Sequence, residues 1–137
     1  MKRLLIAVLP LAFAGAAHAD GDPAKGEREF NKCKACHAIV DDAGGEIVKG
    51  GKVGPNLYGV IGRTAGSIEG FKYGASLVAA GEGGLVWDQE NIEDYLKDPK
   101  AFLVEVTGDD KAKSNMAFKL SKGGEDVAAF LAQHGGQ

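Results

Sequence analysis

The chain has 137 residues, a formal net charge of −3, 21 glycines and two cysteines. That length suits a single domain, and the acidic balance excludes a nucleic-acid binder that works by overall charge. So many glycines mean many turns and few side chains to pack, so a chain this small needs a disulfide, a metal or a cofactor as a staple.

Residues 1–19 read as a secretory signal peptide. Lys2 and Arg3 make a basic start, residues 4–15 an apolar run that contains Pro10, and Ala17-His18-Ala19 a small-residue cleavage site. The run is shorter than the roughly 17–25 apolar residues of a transmembrane helix. Cleavage would leave residues 20–137 as one domain of net charge −5. Asp22-Pro23 then opens a first helix, an N-cap followed by proline at the first helical position, running to about residue 34 with Gly26 and Phe30 on one face. A short helix is expected over 75–80. Asp88 caps the next, whose apolar stripe is Ile92, Tyr95 and Leu96 and whose end is Asp98-Pro99; a short helical turn follows over 99–104. The last helix spans 122–133, with Val127, Phe130 and Leu131 as its buried face and Gly135-Gly136 as its stop. Segments 38–70 and 105–121 read as irregular. The class is all-α, four to five helices joined by long loops.

Both cysteines fall in "CKACH", residues 33–37. Export favours disulfides, yet a bridge between Cys33 and Cys36 closes too short a loop to stabilise much. A structural zinc site takes four ligands; only His37 and His134 stand beside the two cysteines after residue 19, and His37 follows Cys36 too closely to share a site with it. A dithiol redox centre wants a strand before the motif and a βαβ unit around it, and no strand pattern flanks this one. Covalent haem attachment fits better than either, because C-x-x-C-H reads as a c-type haem site, with two thiols for two vinyl groups and a histidine for the iron. If both axial positions are filled, a second ligand must come from elsewhere, and methionine with histidine is the electron-carrier pairing. Met116, in "KAKSNMAFKL", is the only methionine after residue 19 and lies off any helical stripe.

The ordered set "GEREFNKCKACH", "VGPNLYGVIGR", "FKY", "VWDQENIEDYLKDP", "NMAF" and "GGEDVAAFLA" resembles the class I cytochromes c, and within them the cytochromes c2 of purple bacteria, over essentially all of residues 20–137. The resemblance implies a small cytochrome c fold wrapped around one haem c, bound by thioethers from Cys33 and Cys36. It implies His37 and Met116 as axial ligands and the Pro55 carbonyl as hydrogen-bond acceptor for His37. It places Arg63, Tyr73 and Trp87 around buried propionates, where a carboxylate needs partners. It sets Tyr95 and Ser114 near the methionine, Phe118 at the haem edge, and Gly26 where first and last helices cross. Extra residues relative to the mitochondrial pattern fall around 41–50 and 105–113. His134 matches no ligand and is expected in solvent.

The function implied is that of a soluble, monomeric periplasmic one-electron carrier, not an enzyme. It would run between a quinol–cytochrome c oxidoreductase and a photosynthetic reaction centre or terminal oxidase. A haem enzyme or gas sensor is the alternative, and needs a displaceable sixth ligand. Lys32, Lys34, Lys52, Lys111, Lys113, Lys119 and Lys122 flank the haem and methionine motifs as a basic docking face, while Asp88, Glu90, Glu93 and Asp94 form an acidic block elsewhere.

Overall fold

A computed structural model describes residues 21–135; the expected signal peptide, Asp20 and the stop residue Gly136 lie outside the described residues. Helix α1 is Pro23–Glu29, with the Asp22 carboxylate accepting from the Ala24 and Lys25 amides and proline at the first position. It is shorter than the sequence suggests. The chain tightens into a 3-10 turn over Phe30–Lys32, because the next five residues must coil back on themselves.

A hairpin follows, β1 (Ile39–Val40) against β2 (Glu46–Val48), antiparallel and bulged between Ile39 and Val40. Two- and three-residue strands are too short to show alternation, which is why this region reads as irregular in sequence. Asp41 makes the turn, its Oδ1 accepting from the Ala43 and Gly45 amides at 3.0 and 2.7 Å. The extra residues around 41–50 therefore become a hairpin.

Helix α2 is Ala75–Glu82 and α3 is Gln89–Lys97. Asp88 and Asn91 cap α3 reciprocally, each side chain accepting from the other's amide. Asp98 ends α3 and caps α4 (Pro99–Thr107), accepting from the Ala101 amide at 3.0 Å. Helix α4 runs three residues past the expected 104. It stops at Gly108, whose φ of 68° ends it in the left-handed region and whose amide bonds the Val104 carbonyl. Helix α5, Gly124–Ala132, begins after Gly123.

Helix α1 packs on α5, and α5 on α3. At the first crossing a Cβ on Gly26 would overlap the Asp126 carbonyl and stand 2.8 Å from the Phe130 Cβ. Only a glycine admits that approach. Phe30 and Phe130 fill the crossing at 5.5 Å between ring centres. The expectation for His134 is corrected here. Its ring meets the Phe130 ring edge-on at 4.7 Å, its Nε2 is buried without a partner, and its carbonyl accepts from the Gly59 amide at 2.8 Å. The i, i+4 spacing from Phe130 puts both rings on one face of α5's end.

Candidate functional site

The 33–37 segment coils tightly. The Cys33 amide donates to the Phe30 carbonyl at 2.8 Å, and the Cys36 and His37 amides both donate to the Cys33 carbonyl, at 3.1 and 2.9 Å. Both thiols are free and, with the imidazole, line a single cleft. The glycine-rich segment that follows the hairpin lies flush on this coil. Side chains at Gly50, Gly51 and Gly54 would overlap the His37 carbonyl, the Ala35 carbonyl and the His37 ring respectively. The amides of Gly51 and Gly54 bond the Lys34 and Cys36 carbonyls at 2.8 and 2.7 Å.

This contact delivers Pro55. Its carbonyl accepts from His37 Nδ1 at 2.8 Å. A carbonyl cannot donate, so Nδ1 carries the proton and Nε2 keeps its lone pair for a metal. Burial holds the His37 pKa below its ordinary 6.5; the Pro55 bond opposes that shift and the nearby Arg63 charge adds to it. The ring is therefore neutral at pH 7, as a ligand must be. Burial also pushes the Cys33 thiol up to about 11, with the Lys32 charge opposing, so it is a protonated thiol at neutral pH.

The cleft has a volume of about 610 Å³, within the roughly 300–1,000 Å³ of cofactor sites. Its walls are the core itself: Phe30, Val60, Trp87, Leu96, Leu103 and Leu131 are all buried and all line it. The core walls suit a large apolar group, and the cleft's chemistry fits a haem: two thiols, a neutral imidazole nitrogen and a thioether on apolar walls, with Arg63, Tyr73 and Tyr95 among the polar groups available to a haem's acids.

Met116 lines the cleft and is half-buried. Its segment is tied down at several points. The Ser114 hydroxyl donates to the Met116 carbonyl at 2.8 Å, the Lys113 amide to Ser76 Oγ at 2.9 Å, and the Leu120 amide to the Leu96 carbonyl at 2.7 Å. Burial raises the Tyr95 pKa, opposed by the nearby Ser114 hydroxyl. Phe118, 41 % exposed, and Val53, 80 % exposed, also line the cleft and form its apolar rim.

Arg63 and Trp87 are brought together by strand-like pairing. The Trp87 amide bonds the Arg63 carbonyl at 2.9 Å and the Gly62 amide bonds the Trp87 carbonyl at 2.7 Å. Arg63 Nη1 donates to the Asn56 and Tyr58 carbonyls. A guanidinium has five N–H groups, so others remain for an acid. Burial lowers the Arg63 pKa, with Tyr73 opposing. The Tyr73 hydroxyl accepts from the Ile68 amide at 3.3 Å, which leaves its own proton to donate.

All eleven residues that the resemblance places at the haem, Ser114 and Phe118 among them, thus line one cleft. Lys72, Asn115 and Leu57 line it too and were not singled out in the sequence; their places in "FKY", "NMAF" and "VGPNLYGVIGR" were the signal. Of the seven docking lysines, Lys32 and Lys113 line the cleft. Lys32 pairs with Glu29 and Lys119 with Asp98, at 2.6 and 2.7 Å.

No protein-family model matches the chain. Cytochrome c-551 of Roseobacter denitrificans is 58 % identical over 137 residues, 99 % of this chain and 98 % of that protein. Cytochrome c2 of Rhodobacter capsulatus is 62 % identical over 125 residues, 91 % of this chain and 90 % of that one. The solved structure of cytochrome c2 from Rhodobacter capsulatus superposes with a TM-score of 0.81 at 64 % identity, covering 82 % of this chain and 97 % of the other. A helical fold closed on one cleft, the C-x-x-C-H coil in its wall and these likenesses together show that the chain belongs to the class I c-type cytochromes, resembles cytochrome c2 and carries one covalently attached haem c.

Proposed function

We propose that the chain is a one-electron carrier whose haem is held through Cys33 and Cys36 and ligated by His37 and Met116. The observation that carries this reading is the convergence of two thiols, a Pro55-oriented imidazole and a clamped methionine on one apolar cleft. Cys33 and Cys36, free thiols on the cleft wall, would hold the group through thioethers, each thiol adding across one vinyl group with its hydrogen going to the other vinyl carbon. The bound group supplies a ferric–ferrous couple. His37 offers a basic nitrogen, Met116 a soft sulfur, and the aliphatic walls exclude water, so little reorganises when the charge changes. Arg63, Tyr73 and Trp87 partner propionates, which would otherwise be costly to bury.

The carrier is exported as residues 20–137 after cleavage of the signal peptide and works as a monomer in the periplasm. It runs between a quinol–cytochrome c oxidoreductase and a photosynthetic reaction centre or terminal oxidase. None of the described helices is long and apolar enough to cross a membrane. Docking uses the apolar rim of Val53 and Phe118 with the lysines around it, Lys34, Lys52 and Lys113 foremost, since Lys32 and Lys119 already hold acids. Lys111 and Lys122 extend the basic field. Such redox contacts are small and weak, which keeps turnover fast.

The test is an optical redox titration of the purified protein with carbon monoxide added to the reduced form. A carrier shows a reversible one-electron couple and no spectral change with the gas at neutral pH. Rapid binding of the gas would favour an enzyme or sensor with a displaceable sixth ligand.

A further inference from the structure

The hydrogen bond from His37 to Pro55 is only as well defined as the loop that carries the carbonyl. Proline has no N–H of its own to pin that loop. The residue after it does so instead. Asn56 Oδ1 accepts from the Val40 amide at 3.0 Å and the Tyr58 amide at 3.1 Å, while its Nδ2 donates to the Val40 carbonyl at 2.8 Å. The side-chain amide thus pairs with both backbone groups of Val40 as another peptide would. Val40 lies in β1, three residues beyond His37. The Leu57 amide bonds the Ala38 carbonyl at 3.1 Å, and the Asn56 carbonyl takes the Arg63 bond at 3.1 Å. Ligand strand and carbonyl loop are thereby laced together immediately beside the Pro55 peptide. Asn56 is an exposed residue, and an exposed asparagine with no such task would be solvated.

We propose that Asn56 is a positioning residue for the iron: by holding residues 55–58 against β1 it fixes the Pro55 carbonyl on His37 Nδ1, and so sets the imidazole's basicity and the reduction potential. The proposal rests on the reading of His37 as axial ligand. A firmly held acceptor makes the imidazole a stronger donor, which favours the ferric state. A loosened one moves the potential upward.

The test compares Asn56→Ala with Asn91→Ala in the haem-loaded protein. Asn91 is the matched control. It too bonds a backbone amide, that of Asp88, and donates to a backbone carbonyl, that of Val86, at 2.9 and 2.8 Å, but on α3 and away from Pro55. Two readouts are taken: the midpoint potential, and solvent exchange of the His37 Nδ1 proton by NMR of the reduced form. The expected result for Asn56→Ala is a higher potential and exchange faster by about 5–30-fold, the loss of one or two kcal/mol. Asn91→Ala should lose stability while the His37 exchange rate does not move; exchange is the deciding readout, because Asn91 holds the Val86 carbonyl next to Trp87. Asn56→Asp keeps an acceptor for Val40 and Tyr58 but sets a charged oxygen against the Val40 carbonyl where the amide donated, so its exchange should also be faster than wild type; it is read by exchange alone, and serves should the alanine variant not fold. A wild-type spectrum with no haem-shifted His37 ring proton overturns the ligand reading and the proposal with it. A His37 proton that is shifted in wild type, yet exchanges at the wild-type rate in both Asn56 variants, overturns the proposal alone.

Discussion

Replacing Gly54 with alanine puts one methyl group where the structure has no room for it. The new Cβ would overlap the His37 ring, standing 2.6 Å from Nδ1 and 2.8 Å from Nε2, against an ordinary contact of 3.4–4 Å. Ring and loop must therefore separate by about 0.8 Å or more. Neither is free to do so, because the Gly54 amide is bonded to the Cys36 carbonyl at 2.7 Å. A displacement of that size takes the 2.8 Å bond from His37 Nδ1 to Pro55 out of hydrogen-bonding range. The lost bond costs about 1 kcal/mol and the overpacking about 1–3 kcal/mol. The less flexible unfolded chain returns about 0.4–1 kcal/mol, leaving a net loss of roughly 1–3.5 kcal/mol. Guanidinium unfolding of the haem protein, followed by the fluorescence of buried Trp87, measures it, and a potentiometric titration of the same variant should show a rise. A stability loss under about 1 kcal/mol with an unmoved potential would refute the claim that the glycine segment and the imidazole are in tight contact.

Gly26→Ala should cost about 3 kcal/mol in the same unfolding assay, since its Cβ meets the Asp126 backbone rather than a flexible side chain; a loss below about 1 kcal/mol would contradict the close crossing of α1 and α5. Asp98 is held below its ordinary 3.8 by the Ala101 amide and then by Lys119. A lowered folded pKa stabilises above the unfolded value and is lost as pH falls through the folded one. Asp98→Asn should therefore lower stability at neutral pH and weaken its fall below about pH 4, and an acid limb as steep as the wild type's counts against the cap. Lys34→Glu and Lys113→Glu should slow reaction with membrane partners at low salt and lose their effect as salt screens the charges over about 8 Å. Lys97→Glu, already set between Glu93 and Asp94, should change it least, and rates that rise with salt would place the docking face elsewhere.

What the sequence made legible follows from how local each signal is. The Asp88 and Asp98-Pro99 caps and the Val127, Phe130, Leu131 stripe are short-range patterns, and α3, α4 and α5 lie where they point. The C-x-x-C-H coil is equally local. The hairpin was not legible, because its strands are too short for a period and its turn depends on one carboxylate, that of Asp41. The end of α1 depends on the turn geometry of the cysteine coil rather than on the propensity of residues 30–34. Asn56 and His134 were missed for a different reason. Their bonds reach Val40 and Gly59 across the chain, and nothing beside them in sequence announces the partner. The ion pairs of Lys32 and Lys119 likewise alter a docking face that charge spacing alone treats as uniform.

The central claim is that His37 and Met116 hold one iron between them. Proton NMR of the reduced, diamagnetic haem protein tests it most directly, through the Met116 methyl resonance identified by its loss in Met116→His. Bound to iron over the face of the haem, that methyl must be shifted far upfield by the ring current, and the Met116→His variant should stay low-spin with a lower potential. A Met116 methyl at its ordinary position, or a Met116→His variant with an unchanged potential and spectrum, would contradict the account.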